Sequence, residues 1–239
     1  AAQGDRVDFV GASPAAFGRT PWMRLGPETE VFASRRVSGS VAVGDWRITL
    51  RPDVYLNAAV GMADRIAGRL RLTRRSFARP APYSVAAPLT RADQLFIAAS
   101  VAGRADVIVA DYAFLTEAYP YALAPQARTA VLVHDIFSDR KAQFDGLGAR
   151  DSVVDLDPEQ EAAMLGRAEV VVAIQKDEAA SLSERLPQSV VVTAPFPTDV
   201  AAAPRPGRDD TLLFVGSDTA PNVDGLAWFL EACWPAIRA

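Results

Sequence analysis

The feature that most constrains the fold is a regular alternation of short β-branched runs with helical segments between residues 106 and 193. The apolar runs DVIVA and AVLVH occupy residues 106–110 and 130–134, and two more occupy 169–174 and 189–193. Parallel strands need long crossover connections, which are usually helices. The alternation therefore predicts an α/β fold, a Rossmann-like parallel sheet with helices on both faces.

Capping residues mark two helix starts within this pattern. Asp157 is a capping acid before Pro158, a residue suited to the first helical position, so a helix is predicted from there to about residue 167. Thr90, with Asp93 three residues later, predicts a helix that ends at Gly103. Its predicted buried stripe consists of Ala92, Leu95, Phe96 and Ala99.

Patterns are weaker before residue 90. We predict a strand at 6–10, a hairpin of strands at 30–37 and 41–50 with its turn at residues 38–40, and a helix at 53–70. The apolar residues of this helix share one face, and they are Tyr55, Ala59, Met62, Ile66 and Leu70.

An arginine cluster without any Asp or Glu begins near the end of that helix and covers residues 65–79. Its candidate anion-contacting residues are Arg69, Arg71, Arg74 and Arg75, which would face membrane lipid or a phosphate-bearing acceptor. The alternative is a solvated helix end and loop, as charge runs usually are.

Composition limits the functional classes. A formal net charge of -4 argues against nucleic acid as the main partner. The single cysteine, Cys233, excludes an internal disulfide and suits a reducing compartment. No apolar run approaches the roughly 18 residues that a spanning helix needs, and the first residues do not resemble a signal peptide. We therefore expect a cytoplasmic protein, with membrane association left open, and interpret the chain as a fragment.

The candidate site begins at His134, the only histidine, which ends the second strand and is followed by Asp135. Ligands of open parallel sheets bind beyond the carboxyl ends of the strands. His134 could shuttle a proton, donate a hydrogen bond to a ligand hydroxyl, or be a core-edge residue satisfied by carbonyls. We assign His134 and Asp135 to the catalytic site. No metal-ligand spacing accompanies them, so no metal is expected.

Three more residues are candidate acceptor ligands. Asp111 follows the strand at 106–110 and would face the same crevice if the two strands are neighbours, although it could instead cap the next helix. Arg140 and Lys141 follow His134 on what reads as a loop, and they could bind phosphate or pair with Asp139 and Asp145.

A proline-rich segment at 194–210 predicts a linker between a domain of residues 1–193 and the start of a second one at 211–239. The second begins with a predicted buried strand at 211–215, a turn at Gly216 and Ser217 that could receive a diphosphate, and a helix at 223–233 stopped by Pro235. The motifs of dinucleotide-binding dehydrogenases, P-loop nucleotidases and α/β-hydrolases are absent from the sequence.

The order of VLVHDIFSDRK, EQEAAMLGRAEVVVAIQKDEAASL, SVVVTAPFP and TLLFVGSDTAPNVDGLAWFLEACWPAIR resembles the retaining glycosyltransferases of family four, which have the GT-B architecture of two facing Rossmann-like domains. The resemblance covers about residues 106–238 well and the first hundred only loosely. Its most specific part is FVGS followed by N-V-D-G-L-x-W-F-L and W-P-x-I-R.

The resemblance implies an N-terminal acceptor domain and a truncated C-terminal domain that binds a nucleotide-diphosphate sugar, with metal-independent, retaining transfer and no cofactor. His134 would reach the donor sugar, while Gly216, Ser217 and Asn222 would lie at the donor. The acceptor would be a glycan or a lipid-linked molecule. The family's paired donor-site glutamates and usual first strand are not found, so we expect this fragment alone to be inactive.

Two other functions compete with this interpretation. A doubly wound binding or assembly module without catalysis would lack sugar-nucleotide binding. A nucleotide-sugar epimerase of similar architecture would isomerise a sugar without transferring it.

Overall fold

The computed structural model describes residues 4–70, 86–122, 126–146, 154–196, 211–216 and 220–238. The strands are β1 Asp8–Gly11, β2 Trp22–Arg24, β3 Ser34–Val37, β4 Ser40–Val43, β5 Trp46–Thr49, β6 Val107–Asp111, β7 Arg128–Val133, β8 Val170–Ala173 and β9 Val190–Thr193. The α-helices are α1 Pro52–Arg69, α2 Arg91–Val101, α3 Tyr119–Ala122, α4 Phe137–Gly146, α5 Pro158–Leu165, α6 Lys176–Arg185, α7 Ala220–Trp228 and α8 Trp234–Arg238. Short 3₁₀ helices span Pro27–Val31 and Ala113–Ala118.

A four-stranded, all-parallel sheet in the order β6-β7-β8-β9 forms the main body. The predicted α/β class and all four predicted strands are confirmed, with bounds shifted by a residue or two. Helices connect the strands, because parallel strands need long crossover connections. The start of α5 is the predicted one, since the Asp157 carboxylate accepts hydrogen bonds from the Glu159 and Gln160 amides.

Helices α5 and α6 pack against one face of this sheet. That face carries Val131 and Val171, both fully shielded from solvent, and it meets Leu165 of α5 and Leu182 of α6. The opposite face leaves Val107, Val109, Val190 and Val192 exposed at 40–63%. In the described residues the prediction of helices on both faces therefore holds for one face only.

The N-terminal residues form two smaller sheets. β1 pairs with β3 in parallel, and β5 lies between β2 and β4 in an antiparallel sheet. The predicted hairpin between 30–37 and 41–50 is wrong. The hairpin is β4–β5, with Val43 opposite Trp46 and its turn at Gly44, whose φ of 58° suits glycine.

Helix α2 joins these parts through a buried polar contact. The capping box of Thr90 and Asp93 is present, as predicted. Asp93, 4% exposed, also accepts a hydrogen bond from Ser38 Oγ at 2.6 Å, which ties the end of β3 to α2. The predicted stripe of residues 92, 95, 96 and 99 is wrong, because Asp93 and Ile97 take the buried positions one helical turn apart.

Helix α1 has the predicted extent, but its apolar face points away from the described residues. Val54 is its one buried residue and packs in a small cluster with Phe17 and Val37. Met62, Ile66 and Leu70 are 54–63% exposed. The predicted amphipathic face is therefore present without a cover from the described residues.

The last described residues differ from the prediction. Residues 211–216 form no strand and are exposed, Leu213 to 86%. Pro235 does not stop the helix. It lies in the first turn of α8, where a missing N–H is tolerated, after a π-helical turn at Phe229–Cys233. Among the described helices, none is both long and apolar enough to cross a bilayer.

Candidate functional site

The carboxyl ends of β6 and β7 bring Asp111 and His134 together. β6 and β7 are parallel neighbours with Asp111 opposite Leu132, so the predicted neighbourhood of the two strands is confirmed. His134 Nε2 lies 2.5 Å from Asp111 Oδ1, and the two side chains are 20% and 63% exposed. Asp111 does not cap the following 3₁₀ helix; its carboxylate contacts the imidazole instead.

The Asp111 contact determines what the His134 ring can offer a ligand. A carboxylate only accepts hydrogen bonds when ionised, so a neutral imidazole in this pair carries its proton on Nε2. Nδ1 then holds a lone pair and accepts a hydrogen bond from a ligand hydroxyl. With a proton on both ring nitrogens, Nδ1 would be a hydrogen-bond donor instead.

Two aromatic rings fix the plane of the imidazole. Tyr112 follows Asp111, and its ring centroid lies 4.4 Å from that of His134. Phe196, three residues after β9, lies 5.5 Å away in a stacked arrangement with an interplanar angle of 22°. The ring of His134 is thus held by one hydrogen bond and two aromatic contacts, which restrict its rotation and leave it partly accessible.

Tyr112 has an unusual backbone. Its φ of 80° and ψ of 150° fall in a region that essentially only glycine populates, at a cost of about 1–3 kcal/mol for other residues. The Tyr112 amide still donates to Leu132 O at 3.0 Å, which continues the β6–β7 ladder. Burial, followed by the charges of Asp111 and Asp135, raises the pKa of the Tyr112 hydroxyl.

The segment after His134 is the helix α4 and not the predicted loop, and a buried carboxylate anchors its start. Glu161 of α5 is 2% exposed and accepts hydrogen bonds from the Phe137 amide at 2.8 Å and the Ser138 amide at 3.0 Å. Ser138 Oγ donates to the same carboxylate at 2.6 Å. Sequence reasoning missed Glu161 because a glutamate inside a helix usually faces solvent.

Ion pairs engage the charged residues of α4. Arg140 contacts Asp135 at 3.3 Å, and Lys141 contacts Asp145 at 2.8 Å, one helical turn along. The Asp145 carboxylate raises the pKa of the Lys141 ammonium. The sequence left phosphate binding and pairing open, and the structure supplies partners for both cations. The acceptor-binding roles of Arg140 and Lys141 stay a prediction.

A polar cleft of about 410 Å³ opens at Asp135, between α4 and α6. Asp135 and Gln175 lie at the ends of β7 and β8, and the helices supply its remaining lining residues, which are Asp139, Arg140, Gln143, Phe144 and Glu178, together with Ile136. Asp139 pairs with Arg185 of α6 at 2.7 Å, which links the two helices behind the cleft.

Of the predicted donor-side residues, the structure describes Gly216 and Asn222, while Ser217 lies outside the described residues. A Cβ added to Gly216 would come within 2.8 Å of the Phe214 ring and 3.1 Å of Asn222 Cγ. Gly216 and Asn222 are therefore close neighbours. Arg69 ends α1 in an exposed position; Arg71, Arg74 and Arg75 lie outside the described residues.

No protein-family model matches the chain, and the search of curated proteins finds no significant match. The glycosyltransferase resemblance thus rests on the sequence motifs themselves. Among the residues that the structure describes, no group of three or more His, Cys, Asp or Glu side chains is arranged to hold a metal ion.

Proposed function

We propose that the chain is the acceptor-side part of a glycosyltransferase that moves a sugar from a nucleotide-diphosphate sugar to a glycan or lipid-linked acceptor with retention of configuration. The observation that carries the proposal is His134 at the open carboxyl edge of the parallel sheet, oriented by Asp111 at 2.5 Å. Ligands of such sheets bind at this edge. The motif order from residue 106 to 238 adds support from the sequence.

His134 acts in this proposal by positioning. With Nε2 engaged by Asp111, Nδ1 receives a hydroxyl of the donor sugar and holds it for reaction with the acceptor. Asp111 acts through His134, as a positioning residue. Asp135, paired with Arg140 at 3.3 Å, stays the second candidate at the reacting edge.

The donor diphosphate would be received by the turn at Gly216 and Ser217, with Asn222 nearby, as the resemblance implies. Backbone N–H groups at a turn before a helix stabilise an anionic leaving group. Retaining transfer of this kind is proposed to need no metal and no cofactor. The predicted linker at 194–210 separates the acceptor part from the donor part.

The test is nucleotide-diphosphate release from a panel of sugar nucleotides, with and without glycan acceptors, by the complete encoded protein. Replacing His134 with Ala should lower acceptor-dependent turnover by roughly 10²-fold or more, since a positioned polar group contributes that much. Glu184→Gln, at an exposed residue of α6, is the control.

Three results would contradict the proposal. Turnover that His134→Ala leaves unchanged, in a variant with a normal thermal transition, removes His134 from the site. Isomerised sugar without transfer indicates an epimerase. Absence of sugar-nucleotide binding by the complete protein indicates a module without catalysis.

A further inference from the structure

We propose that the cleft between α4 and α6 binds a neutral polyhydroxylated ligand, such as a sugar ring, through Glu178, Gln175 and Gln143, with Phe144 as its apolar wall. The inference rests on the proposed function only where it names this ligand as the sugar unit of the acceptor. The cleft itself can be tested by binding alone.

Size is the first argument. The volume of about 410 Å³ lies within the roughly 300–1,000 Å³ of small-molecule sites, and it accommodates a sugar ring with its hydration water. The cleft starts at Asp135, the residue that follows His134 in the chain.

The charges of the cleft disfavour an anion. Asp135, Asp139 and Glu178 supply three carboxylates, whereas Arg140 is the one cation among the lining residues. The Arg140 guanidinium is already engaged with Asp135 at 3.3 Å. A phosphate or diphosphate group would therefore meet net repulsion here, which separates this cleft from the proposed diphosphate site at Gly216.

The pairing of these acids also disfavours a multivalent cation. Arg140 neutralises Asp135, and Arg185 neutralises Asp139 at 2.7 Å. Glu178 remains, with its Oε2 shielded from solvent and without a hydrogen-bond partner among the described residues. Burial, followed by the charges of Asp135 and Asp139, raises the pKa of Glu178, so this carboxyl carries less negative charge than an exposed glutamate near that pKa.

Hydroxyl groups complement the remaining side chains. A hydroxyl both donates and accepts, so it satisfies the acceptor oxygens of Glu178 and the mixed amides of Gln143 and Gln175. Gln143 of α4 and Gln175, the residue before α6, are both exposed and both line the cleft. The half-buried Phe144 ring lines the cleft beside the Arg140 guanidinium, which lies 5.9 Å from the ring centroid, and it offers its remaining apolar surface to the C–H groups of a sugar.

The experiment titrates the intact ¹⁵N-labelled chain with methyl α-glucoside, sorbitol, sodium phosphate and spermidine, and follows amide shifts by NMR. We expect the two neutral polyols to shift amides of residues 135–144 and 175–178. Glu178→Gln should weaken that binding by roughly tenfold, because it replaces a charge-assisted hydrogen bond with a neutral one. Glu184→Gln, exposed on the same helix, should leave the affinity unchanged.

A second variant guards against misfolding of the first. Gln143→Ala changes an exposed residue of α4 and should weaken polyol binding without altering the thermal transition. Shifts confined to phosphate or spermidine, or equal polyol affinity in wild type and both cleft variants, would overturn the inference. Polyol binding in a protein that transfers no sugar would refute the proposed function and support the cleft as a binding site. Sugar transfer without amide shifts on polyol addition would support the proposed function and refute the cleft as a binding site.

Discussion

Replacing Glu161 with Ala should destabilise the fold strongly, because one carboxylate satisfies the start of α4. Its two oxygens accept from the amides of Phe137 and Ser138 at 2.8 Å and 3.0 Å, both in buried surroundings. The Ser138 hydroxyl donates to it at 2.6 Å and accepts from Arg185 at 3.2 Å. After the substitution the Ser138 hydroxyl still accepts from Arg185 but loses the acceptor of its own proton, and the two amides lose their acceptor.

The magnitude follows from these two amides. Each buried donor left unsatisfied costs about 1–3 kcal/mol, so the free energy of unfolding should fall by about 2–6 kcal/mol. Water entering the space left by the side chain would bring the cost toward the lower end of that range. Glu161→Gln should cost less, since the amide oxygen still accepts from one of the two N–H groups.

Urea unfolding followed by circular dichroism measures the effect. With a slope of about 2 kcal/mol per molar urea, the midpoint of Glu161→Ala should fall by about 1–3 M. Glu159→Ala is the matched control, because Glu159 is exposed in the first turn of the same helix and should shift the midpoint by less than about 0.5 M. Equal midpoints for the two variants would refute the assigned role of the buried carboxylate.

Three further predictions concern the site and the surface. Asp111→Asn should convert His134 from the Nε2–H tautomer to a mixture of the Nε2–H and Nδ1–H tautomers. Because His134 is the only histidine of the chain, ¹⁵N NMR measures this change directly. An unchanged tautomer would disprove the orienting contact with Asp111. The raised pKa of Glu178 means that the folded state holds this proton more tightly than the unfolded state, so the stability of the wild type falls as pH rises from the ordinary pKa of 4.5 through the folded pKa. Over that interval Glu178→Gln should become increasingly stable relative to the wild type. A difference in urea midpoint that does not change with pH would contradict this prediction. The arginines from Arg69 onward should give salt-sensitive binding to anionic vesicles, screened as the Debye length falls to about 8 Å at physiological ionic strength, and equal sedimentation with neutral vesicles would remove that role.

The main sheet and the capped helix starts could be predicted because their signals are local. The strands of the sheet are continuous β-branched runs, and Asp157 and Thr90 lie within three residues of the amides that they cap. The meeting of Asp111 with His134 followed from topology, since the carboxyl ends of neighbouring parallel strands share one edge of the sheet.

The errors fall where distant residues decide local structure. Turns occur at both Gly39 and Gly44, where φ is positive, so the sequence has two glycines suited to the turn of a hairpin. Because β3 pairs with β1, the antiparallel hairpin forms between β4 and β5, with its turn at Gly44. The start of helix α4 is held by the Glu161 carboxylate, which comes from 23 positions away in the chain. The exposed apolar face of α1 shows that amphipathic periodicity predicts a helix without predicting its partner.

The stacking of Phe196 on His134 has a consequence for spectroscopy and regulation. Phe196 lies three residues after the end of β9, and its ring centroid lies 5.5 Å from that of the imidazole. Aromatic ring currents shift the NMR resonances of nearby protons. The chemical shifts of the carbon-bound protons of the His134 imidazole therefore report the position of the Phe196 ring. A conformational change that moves Phe196 would therefore change these chemical shifts. NMR would detect the change without a measurement of activity.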